Sequence, residues 1–143
     1  MAAATLAAAA CGSGDPGAPA AVGQAPALVV SAGDHTVSLA PADGCVRRAD
    51  RVVCGDPPAP RCADATLPRI PLASGAALAM EFPERPGLVE ASLGSSAPLR
   101  ERPAAATVRW RPTRTPTRPS PLVVLADLAV GRLAYTACVV PTG

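Results

Sequence analysis

The chain has 143 residues, a formal charge of +2, and a hydrophobic share of 49% set against an aromatic share of only 2%. That length allows one domain, and Gly (12) with Pro (18) stays below the level at which a chain without repeats reads as wholly disordered. All thirteen cationic side chains are Arg, and with one Trp, one Tyr and one Phe the chain lacks the aromatic set that stacks on single-stranded nucleic acid.

At the N-terminus the apolar run Leu6-Ala7-Ala8-Ala9-Ala10 ends at Cys11, and Gly12-Ser13-Gly14-Asp15 follows. Small residues before a cysteine and a polar, Gly-rich stretch after it resemble a bacterial lipoprotein signal. In that family the chain is cut before the cysteine and the cysteine carries the lipid. The resemblance implies lipidation at Cys11 and a place on the outer face of the cell membrane. Composition points to the same kind of source: Ala, Pro, Gly and Arg supply about half of the chain, while Lys and Asn are absent. Residues with G/C-rich codons are thus favoured, as in a high-GC bacterium, and the chain is similar to the small actinobacterial-type lipoproteins of unknown function. Residues 1–10 then form a shortened signal-like segment, for which a start site further upstream accounts. Residues 11–26, rich in Gly, Pro and Ala without apolar periodicity, read as a flexible, disordered tether. The folded domain is expected over residues 27–141.

Strand signals begin at once. Ala27-Leu28-Val29-Val30-Ser31 and Thr36-Val37-Ser38-Leu39 flank Ala32-Gly33-Asp34-His35, which predicts a hairpin turning at Gly-Asp. The core available to such strands is thin, because much of the hydrophobic share is Ala and a single methyl buries little area. A small domain of this kind usually needs covalent support. Four cysteines remain after Cys11, namely Cys45, Cys54, Cys62 and Cys138, an even set as a two-disulfide framework requires in an exported chain. Three pairings are open. The segment Val46 to Val53 can fold back around Ala49-Asp50, placing Cys45 opposite Cys54, so Cys45–Cys54 is favoured and leaves Cys62 to reach Cys138. Zinc is disfavoured, since eight and seven residues separate the first three cysteines and no C-x-x-C occurs.

Further along, Leu78, Met80 and Phe82 alternate with smaller or charged residues, a period of two that buries one face. Leu88 to Leu93 follows the turn Pro86-Gly87 as the next strand. Val108 and Trp110 then share a face opposite Arg109 and Arg111. Leu122 to Val140 is apolar enough to be mistaken for a membrane span. Asp127 and Arg132 near its middle would each cost roughly 2.5–3.5 kcal/mol in a bilayer, so strands are preferred. A short helix near Leu122 to Val130 remains open. The last strand is expected over Arg132 to Val140, with Leu133, Tyr135, Ala137 and Val139 on one face. Seven or so strands with turn signals predict an all-β fold, a small disulfide-stapled β-sandwich. The likeness to an immunoglobulin domain is loose, because Tyr135 lies three residues before Cys138 where the tyrosine corner has two.

Charge is unevenly spread. Six Arg face nine acids up to Glu90, and seven Arg face two acids beyond it. The positive share gathers in Arg109-Trp110-Arg111-Pro112-Thr113-Arg114-Thr115-Pro116-Thr117-Arg118-Pro119, where Pro spacing predicts an extended, exposed segment. Arg109, Arg111, Arg114 and Arg118 are the candidates for contact with an anionic surface, either lipid headgroups or a wall polymer. Catalytic patterns are lacking: His35 is the single histidine, in a turn beside Asp34, and no G-x-S-x-G elbow, H-E-x-x-H or phosphate loop occurs. Asp43, Asp50, Asp56 and Asp64 lack the spacing of a calcium loop and read as turn residues. No catalytic residue, metal or cofactor is assigned. The expectation is a non-enzymatic, lipid-anchored envelope protein that binds or scaffolds at the membrane surface, with an unknown envelope protein or an anionic polymer as partner and no nucleic acid. The alternatives are an extracytoplasmic enzyme or an accessory subunit of an envelope transport or wall complex.

Overall fold

The computed structural model describes residues 27–49, 51–54 and 59–143. The signal-like segment, Cys11 and the tether fall outside these residues, as do Asp50 and Asp56. Eleven strands and no helix are found among the described residues, so no helix there is long and apolar enough to cross a membrane. In chain order they are β1 (Leu28–Ala32), β2 (His35–Leu39), β3 (Asp43–Arg48), β4 (Arg51–Cys54), β5 (Arg69–Ala73) and β6 (Leu78–Glu81). They continue as β7 (Val89–Leu93), β8 (Leu99–Glu101), β9 (Thr107–Trp110), β10 (Ser120–Leu128) and β11 (Gly131–Thr142).

Two sheets pack face to face. The smaller runs β2-β1-β6-β9 and the larger β4-β3-β11-β10-β7-β8, with β5 pairing in parallel beside the end of β11. Alternation in the sequence sets which side faces inward. Leu28, Val30, Leu78, Met80, Val108 and Trp110 point in from the small sheet, and Val89, Leu93, Leu122, Val124, Leu133 and Tyr135 point in from the large one. The result is a disulfide-stapled β-sandwich. Its order β1-β6-β9 against β8-β7-β10-β11 is the A-B-E and C′-C-F-G order of an immunoglobulin sandwich, with β2 to β5 inserted between A and B. The disulfide that joins B to F in antibody domains has no counterpart, since β6 and β10 carry no cysteine.

The stretch that resembled a membrane span is the hairpin β10–β11. Every second residue of β10 is buried and β10 pairs on both edges, with β11 and with β7, so neither a span nor a helix forms there. The two charges that argued against a span lie opposite each other in the register, Asp127 facing Arg132 at 3.5 Å.

Both favoured disulfides are present. Cys45 and Cys54 face each other across the β3–β4 hairpin, and Cys62 reaches Cys138 on β11. The hairpin lies tight against β11. A methyl group on Gly44 would collide with the Arg132 carbonyl oxygen and come within 2.8 Å of the Leu133 Cα, so only glycine fits that crossing. Two disulfides in a domain of this size fit an oxidising, extracytoplasmic environment.

Candidate functional site: a basic cleft at one pole

The segment from Arg111 to Pro119 carries the chain from β9, on the small sheet, to β10, on the large one. Prolines keep it out of both ladders by removing backbone donors. Its threonines fasten it instead through side-chain contacts. The Thr113 hydroxyl accepts from the Ala97 amide at 3.0 Å and shares a hydrogen bond with the Ser96 hydroxyl at 3.1 Å. Ser96 in turn accepts from the Arg114 amide, and Thr115 accepts from the Gly75 amide at 2.9 Å. At the far end Ser120 donates to the Arg118 carbonyl. Pro112, Ser96 and Ser120 are buried beneath. The segment is therefore not the free, extended loop that its prolines predict. It is an irregular strap fastened to the β5–β6 and β7–β8 turns.

Between the strap and the β7–β8 turn lies a cleft of about 570 Å³, with Arg114, Arg118, Ser95 and Thr117 among its lining residues. No acidic side chain lines it. Of the four candidate arginines the structure thus brings two together. Arg109 stays on the outer face of the small sheet, opposite Ala79, and Arg111 is exposed just past β9. None of the four side chains has an ion pair among the described residues. The missed contributors are Ser95, Thr117 and the hydroxyls that fix the strap; the alternating Pro-Thr pattern was the available signal.

A second hollow, of about 330 Å³, lies on the outer face of the large sheet over Val123 and Leu125. Its charges are internally matched. Glu90 binds Arg100 at 3.1 Å and Arg132 at 2.7 Å, and Arg132 also meets Asp127. At these exposures such pairs contribute little to stability, but they leave no charge seeking a partner.

The remaining polar features are local. His35 is exposed at the start of β2, directly after the Gly33-Asp34 turn. Asp64 accepts from the Thr66 amide and hydroxyl, which holds its carboxyl below the ordinary value. No cluster of three or more His, Cys, Asp or Glu able to hold a metal ion occurs among the described residues. Beside the Cys62–Cys138 bridge, Arg69 donates to the Cys62 carbonyl at 2.9 Å and lies 3.7 Å from the Cys138 sulfur. No protein-family model, curated protein or solved structure matches the chain. Its functional reading therefore rests on its own residues.

Proposed function

We propose that the chain is a lipid-anchored protein of the cell envelope, held through Cys11 on the outer face of the membrane, and that its β-sandwich binds or scaffolds there without catalysis. One observation carries the reading. Cys45, Cys54, Cys62 and Cys138 are consumed in two disulfides, which leaves Cys11 as the odd cysteine of five. An odd cysteine in an oxidising compartment needs a partner or a modification, and this one stands where a lipoprotein signal places its lipidated residue. The basic cleft supports a binding role, since it gathers cationic and hydroxyl side chains in one place.

The test is the intact mass of membrane-extracted protein, expressed with its upstream DNA in a high-GC exporting host. The expected mass is the chain from Cys11 plus acyl groups, with the other four cysteines oxidised. Cys11→Ala should release the domain from the membrane fraction. An unmodified soluble chain with five free thiols would overturn the reading.

A further inference from the structure

We propose that the cleft formed by Arg114, Arg118, Ser95 and Thr117 binds a phosphodiester-linked polyanion. The binding chemistry stands on the cleft itself; that the polyanion belongs to the cell envelope rests on the lipid-anchor reading.

The cleft has the chemistry of an oxyanion site. A guanidinium presents its donors in a planar fork that matches phosphate oxygens, and Arg114 and Arg118 line this space together with Ser95, Thr117 and Ser120. No carboxylate lines the cleft to compete for them. On the outer face of the large sheet, by contrast, Arg100 and Arg132 are neutralised by Glu90 and Asp127. The site is also built in advance. Thr113, Thr115 and Ser120 fasten the backbone on which Arg114 and Arg118 stand, so a ligand has only their side chains to order. At about 570 Å³ the cleft exceeds what one phosphate fills and leaves room for the units on either side of it.

Register fixes its place in the domain. Along the small sheet, Leu28 is level with Leu39, and its neighbour Val29 with Glu81, which in turn faces Thr107. The other end of that sheet carries the Ala32–His35 turn and the Leu78–Trp110 pair. The strap leaves from Trp110, crosses the β5–β6 turn through Gly75, and enters β10 at Ser120, level with Val139 near the end of β11. The chain enters the domain at Leu28, so its point of entry and the cleft occupy opposite poles. A five-residue strand at about 3.3 Å per residue sets them roughly 15 Å or more apart, which leaves the cleft clear of the tether's attachment.

The test uses the full-length oxidised chain. A glycerol-phosphate oligomer is titrated into it by calorimetry, with inorganic phosphate, polyglutamate and phosphatidylglycerol vesicles as parallel probes. The oligomer is expected to bind in a salt-sensitive manner, and the double variant Arg114→Gln/Arg118→Gln to weaken it at least about tenfold. Arg85→Gln, an exposed arginine near the Leu28 pole, should leave binding unchanged, and thermal melts should show all variants folded. Equal weakening by Arg85→Gln, equal affinity for polyglutamate, or indifference to the double variant would overturn the proposal. Vesicle binding that depends on Arg114 and Arg118 would assign the headgroup as ligand and overturn the polymer as occupant. Because the titration needs no lipid, an unlipidated Cys11 defeats the anchor reading alone, and a failed titration defeats the cleft alone.

Discussion

Tyr135 is the largest of the fully buried side chains, and burial pushes its phenol up to about 12. The unfolded chain ionises near the ordinary value of about 10. Between those values the unfolded state gives up a proton that the folded state keeps, so stability is level below about pH 10 and falls as pH rises toward 12. The slope from this one group is at most about 1.4 kcal/mol per pH unit. Melting curves collected from pH 8 to 12 should show the decline in the parent protein and lose this component in Tyr135→Phe. The residue scale was also where the sequence was most legible. Cys45 and Cys54 were paired from the folding-back of the eight residues between them, and the observed register matches, down to Val46 opposite Val53. The glycine demand at position 44 was invisible, because it arises from β11, some ninety residues away in the chain.

At the scale of elements, alternation carried most of the reading. The strands around Leu78–Phe82, Leu88–Leu93 and Leu133–Val139 fall where period two placed them; β6 and β7 bury one face and leave the other partly exposed, while β11 also buries Ala134 and Cys138 behind its core face. Three elements escaped for identifiable reasons. β5 is short and contains Pro71, β8 has three residues, and β10 is a central strand whose apolar run does not by itself distinguish strand from helix. The strap escaped in a different way. Its prolines predicted an exposed segment outside the ladders but said nothing of what its hydroxyls would reach, because Ser96, Ala97 and Gly75 become neighbours only when the sandwich closes. Thr113→Val should therefore cost about 1–2 kcal/mol through the loss of both its bonds. Hydrogen exchange should locate that loss at the amides of Ala97 and Arg114, with β1 and β6 unchanged.

Over the whole molecule, the two disulfides are unequal. Cys45–Cys54 spans nine positions and Cys62–Cys138 spans seventy-six. Chain-entropy arguments assign the short bridge about 2.6 kcal/mol and the long one about 4.5 kcal/mol. Denaturant titrations of Cys62→Ser/Cys138→Ser and Cys45→Ser/Cys54→Ser should rank accordingly, the long-bridge variant unfolding at the lower midpoint. The same inequality has a temporal side. A chain emerges with its N-terminal part first, and loops of about ten residues close within roughly 100 ns. Cys45 and Cys54 therefore meet long before Cys138, which lies in the last strand, has appeared. Cys62 follows Cys54 by only eight positions, so what decides the early pairing is the β3–β4 register, which sets Cys45 opposite Cys54 and leaves Cys62 waiting for Cys138, its only remaining partner within the domain.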